Sequence, residues 1–391
     1  MTLTLLLDLD DTLLNTNIHS FVPAYFQALS RELTPHIAPD LMLRALMAGT
    51  NKMMASDDFT QTLEQVFNAE FYPQIDCSRE KIADAIENFY DHTFPTLSGV
   101  TAPKPEAKPF VEWAQAQGFH VAIATDPFFP RKATYHRLRW AGFDPEQFEL
   151  VSSFEDFHFT KTHPAYYAEV LGQMGWQEGP VLMVGNDLER DILPAKRLGL
   201  ATYHIGEESS EALGWGTLSD LRHWLESTDL STLTPDFHSV ESALGVLSAT
   251  PAVFNSFSRK LNRERWVRKP ASDEWCLKEL ISHLRDTERE VHHLQIELFK
   301  EQEEPFIPRP DTSVWANERD YIHEDCIVAL GQFNEARRRT LDLLREKQAD
   351  DWQRKARHAI FGPTDFREVI GFIAEHDRLH IHQGWQTLKK M

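Results

Sequence analysis

The N-terminal stretch MTLTLLLDLDDTLLNTN places three carboxylates, Asp8, Asp10 and Asp11, directly after an apolar run. Adjacent carboxylates repel one another, so such a cluster is costly unless a cation neutralises it or one member stays protonated. Two aspartates separated by one residue could supply a nucleophile and a neighbouring acid or base. The cluster therefore indicates a cation site or an acid–base site.

Polar residues follow three later apolar runs in the same way. Thr125 ends the run HVAIAT, and Lys161 follows the run FELVSS in the segment FTKTHP. Asp187 and Asp191 follow the run VLMVG. The carboxyl ends of parallel strands form one edge of a sheet, where ligands bind. Together with the first cluster, a hydroxyl, a lysine and two more carboxylates suit phosphoryl transfer assisted by a divalent cation.

Up to about Leu225, the predicted strands and helices that must position these residues alternate along the chain. Short apolar runs are separated by amphipathic stretches, which predicts an α/β Rossmann-like parallel sheet with helices on both faces. Residues from roughly Thr16 to Ser98 break the alternation with helical patterns, so we expect a separate helical lobe there. The runs lie at 3–7, 120–125, 148–153, 180–185 and 201–206.

The second part of the chain has a different pattern. Residues 227–238, STDLSTLTPDFH, predict a linker, and no convincing strand pattern follows it. Four long amphipathic stretches predict an all-α four-helix bundle. The predicted domains are therefore 1–226, with its core at 1–15 and 99–226, and 239–391. The four helical stretches lie near 239–262, 275–301, 319–346 and 365–389.

Histidines in two of these helical stretches could bind a metal. His376 and His380 are four residues apart on an otherwise apolar helix face, and His283 lies on the inward stripe of another helix. Three imidazoles are a suitable ligand set for a divalent transition metal, with positions left open for water or substrate. Such a histidine pair alone is more often solvated or hydrogen-bonded. Cys276, two turns before His283, is better interpreted as a buried structural residue.

Composition restricts the classes of partner. The formal net charge of −20 argues against a nucleic-acid or anionic-membrane surface, because both need clustered Lys and Arg. Three scattered cysteines do not make a disulfide framework, so a reducing cytoplasm is the expected setting. No apolar run approaches the ~20 residues of a membrane span, and the first run lacks the basic flank of a signal peptide.

The first set of residues resembles the motifs of the haloacid dehalogenase superfamily over about 225 residues. DLDDT matches the first motif, Thr125 the second, Lys161 the third, and GNDLERD the acidic fourth. The resemblance implies that Asp8 is the nucleophile and that Asp10 protonates the leaving group and then activates water. It also implies that Thr125 and Lys161 bind the phosphate.

The same resemblance implies an Mg²⁺ site. Asp8, the backbone carbonyl of Asp10, and Asp187 would hold the ion. Asp191 is either a further ligand, a helix cap or a residue that orients a ligand. The family's motif has a second aspartate at Asp10 in phosphatases but not in dehalogenases, so phosphate-ester hydrolysis is favoured. Asn186 departs from the family's usual aspartate, which leaves the direct ligands open.

The helical lobe, about residues 16–98, resembles the cap that covers this site in the superfamily. A capped site favours small phosphorylated metabolites over macromolecules. A phosphonate-cleaving relative would use a cap lysine as a Schiff base, but Lys52 and Lys81 are better interpreted as surface residues.

The C-terminal stretches resemble the DinB-like metal-binding bundle family over about 150 residues. That family has ligands at the positions of His283, His376 and His380, which implies a divalent transition metal such as Zn, Ni or Fe. Asp286 and Asp377 would orient the imidazoles or face solvent. The resemblance is carried by the segment FGPTDFREVIGFIAEHDRLHIHQ and by Trp275, Glu279, His283, Asp286 and Glu288.

Two functions of different classes follow. The first is an Mg²⁺-dependent phosphatase acting on a small phosphorylated metabolite through an aspartyl-phosphate, fused to a metal-binding bundle. For that bundle, a thiol transferase using a low-molecular-weight thiol is one candidate role. The second is a protein whose bundle, with a structural metal, mediates homodimerisation or interaction with a partner, and whose phosphatase activity is secondary.

Overall fold

The computed structural model describes residues 2–390, which form two compact units. Met1 and Met391, the end residues of the predicted domain ranges, lie outside the described residues. The first unit contains the chain up to Tyr167 with Glu178–Lys196 and Leu200–Pro235. The second contains Ala168–Gln177, Arg197–Gly199 and the chain from Asp236 onward.

Eleven strands form three sheets among the described residues. Most are short, and the longest have five residues. They are β1 (Thr4–Leu7), β2 (Leu14–Asn15), β3 (Ala102–Pro103), β4 (His120–Ile123), β5 (Leu150–Val151), β6 (Val181–Gly185), β7 (Ala201–Ile205), β8 (Gly214–Gly216), β9 (Phe306–Ile307), β10 (Lys355–His358) and β11 (Gly362–Asp365).

The main sheet of the first unit has six parallel strands in the order β5-β4-β1-β6-β7-β8. All four residues of β1 are buried, as expected for a central strand covered on both faces. Leu7 at the end of β1 lies opposite Ile123 of β4 and Val184 of β6. The residues that follow these three strands therefore meet at one edge. The strand β8 was not predicted.

Fifteen α-helices surround and follow the sheet. They are α1 (Ile18–Leu33), α2 (Pro39–Met54), α3 (Leu63–Phe71), α4 (Arg79–Asn88), α5 (Ala107–Ala116), α6 (Arg131–Trp140), α7 (Pro164–Gln173), α8 (Leu193–Leu198), α9 (Leu218–Ser227), α10 (Val240–Lys260), α11 (Leu277–Thr287), α12 (His293–Glu301), α13 (Trp315–Glu318), α14 (Cys326–Arg345) and α15 (Phe366–Lys389).

The helices α1 to α4 form the inserted lobe between β2 and β3. These two strands pair antiparallel, so the chain leaves and re-enters the sheet domain through adjacent strands. The lobe has an apolar core of its own, in which Phe21, Tyr25, Phe89 and Phe94 pack with their rings in contact. The insertion is therefore a helical cap.

In the second unit, α10, α14 and α15 pack with a long helix made of α11, the π-helical turn Glu288–His292, and α12. The predicted fold class, a Rossmann-like sheet with an inserted cap followed by a four-helix bundle, is confirmed. The expectation of no strands after the linker was wrong, because β9, β10 and β11 form a small sheet. β9 has only two residues, and the buried positions of β10 are Ala356 and His358, so the sequence shows no clear apolar alternation there. None of the described helices is long and apolar enough to cross a bilayer.

Candidate active site and candidate metal centre

Asp8 lies at the carboxyl edge of the main sheet, where β1 ends. Its backbone N–H donates to the carbonyl of Val184 at 2.9 Å, which fixes its position between β1 and β6. The side chain is 8% exposed. The ammonium of Lys161 donates to Asp8 Oδ1 at 2.5 Å and to Asp191 Oδ1 at 2.6 Å. Lys161 thus joins two buried carboxylates, one directly after β1 and one in the π-helical turn that follows β6.

The electrostatics of this group favour an additional cation. Burial raises the pKa of Asp8 to about 7, although Lys161 opposes the shift, and the charge of Asp191 raises the pKa further. Burial would lower the pKa of Lys161, but Asp191 and Asp8 outweigh burial and raise it, so the lysine stays charged. One ammonium therefore does not fully compensate the two carboxylates.

Asp10 is paired with a different cation, the guanidinium of Arg137. Its carboxylate accepts hydrogen bonds from the guanidinium of Arg137 and from Thr16 Oγ1. Burial would raise the pKa of Asp10, but these two donors outweigh it and lower the pKa. Asp11 has a left-handed backbone, φ 54°, and its Oδ1 accepts from the Thr16 amide at 2.9 Å. Asp11 therefore shapes the turn that carries Asp10.

The acidic fourth motif begins a π-helical turn, Leu188–Ile192. Asp187 Oδ1 accepts from the amides of Glu189 and Arg190 at 2.9 and 3.2 Å, so this carboxylate caps the turn. Asp191 Oδ2 accepts from the Asp187 amide at 3.0 Å, while Oδ1 accepts from Lys161. Both oxygens of Asp191 are therefore occupied by internal donors, as expected of a residue that orients its neighbours.

Thr125 follows β4 at the same edge and is 1% exposed. Its carbonyl accepts from Ser152 Oγ at 2.6 Å and from the Tyr166 hydroxyl at 2.8 Å, which hold its backbone in place. Next to it, Asp126 accepts from the Lys161 amide and from Arg190 Nη1, both at 3.3 Å. Sequence reasoning missed Asp126, although it follows Thr125 directly.

The carboxylates at this edge offer oxygen atoms, which are the ligands that Mg²⁺ prefers. Within residues 2–390, however, no three carboxylates have oxygens within 4.8 Å of one another. Each of the four predicted carboxylates has an internal partner: Lys161 for Asp8 and Asp191, Arg137 for Asp10, and backbone amides for Asp187. The buried carboxylate of Asp8, with its raised pKa, still fits a divalent cation.

Arg137 is the main residue of this site that sequence reasoning missed. It lies on α6, is 1% exposed, and its guanidinium lies 5.4 Å from the ring centroid of Phe21 and 5.0 Å from that of Phe129. Phe21 belongs to the cap, so Arg137 contacts both the cap and Asp10. Its position in the sequence could have indicated its burial, because Arg137 is four residues after Ala133 and lies on the same buried face of the helix.

The three predicted histidines of the bundle come together. Nε2 of His376 lies 3.2 Å from Nε2 of His283 and 3.0 Å from Nε2 of His380. They are the only described group of three or more His, Cys, Asp or Glu residues with ligand atoms within 4.8 Å of one another. The Trp275 ring packs 4.7 Å from the His283 ring and 5.9 Å from that of His380.

The three imidazoles are neutral, which is the protonation state that a transition-metal ligand needs. His380 Nδ1 lies 2.8 Å from the amide oxygen of Gln383, which can only accept, so the proton is on Nδ1 and Nε2 has a lone pair. Nδ1 of His283 and of His376 are buried without a partner. Burial and the neighbouring imidazoles lower the pKa of His283 to about 3 and that of His376 well below its usual value. Neutral imidazole nitrogens facing one another are the arrangement that a divalent transition metal completes.

A buried ion network lies beneath the cluster. Arg337 donates to both oxygens of Glu288, at 2.7 and 2.8 Å, and to both oxygens of Asp377. Asp286 accepts from Arg285, Arg319 and the Tyr321 hydroxyl. Neither Asp286 nor Asp377 orients an imidazole or faces solvent, so that expectation was wrong: arginines that the sequence reasoning did not consider bind both.

Cys276 is a structural residue at the start of α11. It is buried, its amide donates to Glu279 at 2.9 Å, and burial raises the pKa of its thiol to about 11. A thiol that stays protonated at neutral pH is a poor metal ligand. The interpretation of Cys276 as structural is consistent with this geometry.

The first unit is an α/β domain with an inserted helical cap and buried carboxylates at its sheet edge, and the second unit is a bundle with clustered histidines. The family model described as haloacid dehalogenase-like hydrolase matches residues 2–199, just over half of the chain, and the chain belongs to that family. The DinB superfamily model matches residues 247–383. The chain therefore combines a hydrolase domain and a DinB-like domain.

One curated protein has a low sequence identity to part of this chain. YuaE of Bacillus subtilis (strain 168), an uncharacterised protein, is 23% identical over 145 residues, which cover 34% of this chain and 88% of YuaE.

Two solved structures match the separate halves of the chain. The phosphatase of the same superfamily from Thermococcus onnurineus is 23% identical, with 57% of this chain and 98% of that chain covered and a TM-score of 0.39. YfiT from Bacillus subtilis, described as a probable metal-dependent hydrolase with an unusual four-helix bundle topology, is 20% identical, with 39% and 89% covered and a TM-score of 0.36. At these scores, neither likeness supports a functional assignment.

Proposed function

We propose that residues 1–226 form an Mg²⁺-dependent phosphatase for a small phosphorylated metabolite. The observation that carries the proposal is the contact of Lys161 with Asp8 and Asp191 at the sheet edge, in a buried setting beside a helical cap. A carboxylate nucleophile beside a fixed ammonium suits attack on a phosphate ester. Residues 227–238 would be the linker to a separate bundle domain at 239–391.

In the proposed reaction, Asp8 attacks phosphorus, and the bond from phosphorus to the leaving oxygen breaks. Asp10, whose pKa is lowered while Arg137 binds it, takes up a proton from solvent when it leaves Arg137 and gives that proton to the leaving oxygen. Asp10 then takes a proton from water, the water oxygen attacks the aspartyl-phosphate, and phosphate leaves while Asp8 is regenerated. Lys161 and Thr125 hold the phosphate oxygens. Since Asp10 is bound by Arg137, it must exchange this contact for the leaving group during the cycle.

The residues that would hold Mg²⁺ are Asp8, Asp187 and the backbone carbonyl of Asp10. The ion would supply positive charge that compensates the carboxylates and the phosphate. Asp191, whose two oxygens have internal donors, orients Lys161 and the Asp187 backbone in this proposal.

The test is phosphate release from a panel of phosphorylated metabolites with Mg²⁺, using the wild type, Asp8→Asn and the exposed control Asp40→Asn. We expect selective turnover that is lost in Asp8→Asn and kept in the control. Turnover that survives in Asp8→Asn contradicts the assignment of the nucleophile. No turnover from folded protein across the panel contradicts the phosphatase.

For the bundle we propose a centre for Zn, Ni or Fe held by His283, His376 and His380. Three protein ligands leave room for water or a low-molecular-weight thiol, whose pKa the metal would lower, so thiol transfer is a candidate reaction. The rival function is dimerisation or partner binding through the bundle around a structural metal, which a fourth protein ligand to the metal and an assembly in solution would favour. Elemental analysis and the measured mass of the native protein separate the two.

We also propose the reducing cytoplasm as the setting, since Cys77, Cys276 and Cys326 are all free thiols.

A further inference from the structure

A cavity of about 220 Å³ borders the three-histidine cluster on the side of His376. Neither the proposed phosphatase nor the proposed metal centre assigns a role to it. Its chemically distinctive lining residues are His292, Arg309, His358, Phe361, Phe372 and Glu375.

His358 offers a fixed hydrogen-bond donor to this cavity. The backbone amides of Ile360 and Phe361 both donate to its Nδ1 at 3.2 Å, so Nδ1 carries the lone pair. Burial, and then the charge of Arg309, lower the pKa of His358, so the ring is neutral and its proton is on Nε2. The ring is 5% exposed, and no described residue accepts a hydrogen bond from Nε2.

Arg309 supplies a cation next to this donor. Within residues 2–390 it makes no hydrogen bond or ion pair, although the chain has 60 acidic residues against 40 basic ones. The prolines at 308 and 310 restrict its backbone, and Gln295 donates to the Pro308 carbonyl at 2.9 Å. Arg309 is exposed at the rim of the cavity, and an unpaired guanidinium on an anchored segment can pair with a carboxylate.

Aromatic side chains form the wall beside these donors. The ring centroids of Phe361 and Phe372 lie 4.4 Å apart, and Phe361 stacks on His358 at 4.9 Å. Glu375 is the only carboxylate among the lining residues, and, like Arg309, it is exposed. The cavity therefore combines an apolar wall, a cation and a neutral N–H donor, and it ends at His376.

We propose that this cavity binds a small organic acid, with its carboxylate against Arg309 and His358 and its other end directed to the three-histidine centre. The contact with Arg309 and His358 stands on the cavity itself. Only the contact at His376 rests on the proposed metal centre.

The test uses the full chain loaded with Co²⁺, and matched pairs of thiols: mercaptopropionate with mercaptopropanol, and mercaptohexanoate with mercaptohexanol. Thiolate bound to Co²⁺ gives a charge-transfer absorption that reports binding. We expect at least one acid to bind about tenfold more tightly than its alcohol, as a charge-assisted hydrogen bond provides. Arg309→Gln and His358→Phe should reduce that preference, while the exposed control Arg268→Gln should not. Equal affinities, or a preference unchanged in Arg309→Gln, overturn the proposal.

A second measurement does not depend on a metal. The ring-proton NMR signal of His358, assigned by its loss in His358→Phe, is followed while mercaptohexanoate is added to metal-free protein. We expect a saturable shift that Arg309→Gln abolishes and mercaptohexanol does not produce. No saturable shift overturns the carboxylate site, even if Co²⁺ binds normally. A normal shift in protein that fails to bind Co²⁺ upholds the carboxylate site and contradicts only the metal centre.

Discussion

The guanidinium of Arg137 donates a hydrogen bond to the carboxylate of Asp10. Arg137 is buried on α6, and its guanidinium also lies against the ring of Phe21 in the cap. The proposed acid–base residue is thus held by a cation that contacts the cap. Arg137 is therefore a direct structural link between the cap and Asp10.

Arg137→Met should lower kcat of the proposed phosphatase by about tenfold or more, with a smaller change in KM. Without the guanidinium, burial is no longer offset and the pKa of Asp10 rises, so the limb of the pH–rate profile governed by Asp10 should move to higher pH. Arg137→Lys should restore part of both effects. An unchanged profile in Arg137→Met, matching the exposed control Arg139→Met, contradicts this role.

Gly185→Ala should impair the active site. A Cβ at Gly185 would lie 2.2 Å from Asp191 Oδ2, so the methyl group must displace the carboxylate that holds Lys161 and the Asp187 amide. We expect phosphate release to fall by about tenfold or more. The control is Gly99→Ala, where a Cβ would meet nothing within 4 Å. Equal activity in the two variants contradicts the positioning role of Asp191.

His376→Ala should remove the transition metal from the bundle, because Nε2 of His376 lies 3.2 Å from that of His283 and 3.0 Å from that of His380. Elemental analysis of purified protein measures the loss. The control is His323→Ala, whose side chain is 79% exposed. Mg²⁺-dependent phosphate release should be unchanged in both variants. Metal content that stays at the wild-type level in His376→Ala would falsify the three-histidine centre.

Arg337→Met should destabilise the bundle by about 3–5 kcal/mol, because it leaves Glu288 and Asp377 buried without their cation. Denaturant unfolding followed by helical circular dichroism measures the change. The matched control is Arg339→Met, two residues along the same helix, where the ion pair with Glu297 is exposed. There we expect at most about 1 kcal/mol. Similar losses in the two variants contradict the importance of the buried network.

The stability of the bundle should also fall in acid. Burial would raise the pKa of Glu288, but Arg337 and His292 outweigh it and lower the pKa far below its ordinary value of 4.5. As pH falls below about 4.5, the unfolded chain binds a proton at Glu288 that the folded chain does not, so the free energy of unfolding decreases. Glu288→Gln should flatten this dependence. A wild-type profile that stays level between pH 5 and about pH 3 contradicts the prediction.

The sequence alone determined the class of each half of the chain. Buried apolar runs such as TLLL of β1 and helical spacing such as that of His376 and His380 are local patterns, and short-range geometry converts them directly into strands and helix faces. The order of the runs also placed Asp8, Thr125 and Lys161 at one sheet edge. The family resemblance added roles that local patterns do not contain.

Only the tertiary structure decided which charges are paired. Arg137 meets Asp10 across 127 residues of chain, and Arg337 meets Glu288 across 49. Neither pairing has a local sequence pattern, because a buried ion pair depends on which helix faces pack together. For the same reason the cavity beside His376, with Arg309 and His358 from separate segments, could not be predicted. Periodicity defines the faces of an element, whereas desolvation and long-range packing decide which charged groups on those faces become a site.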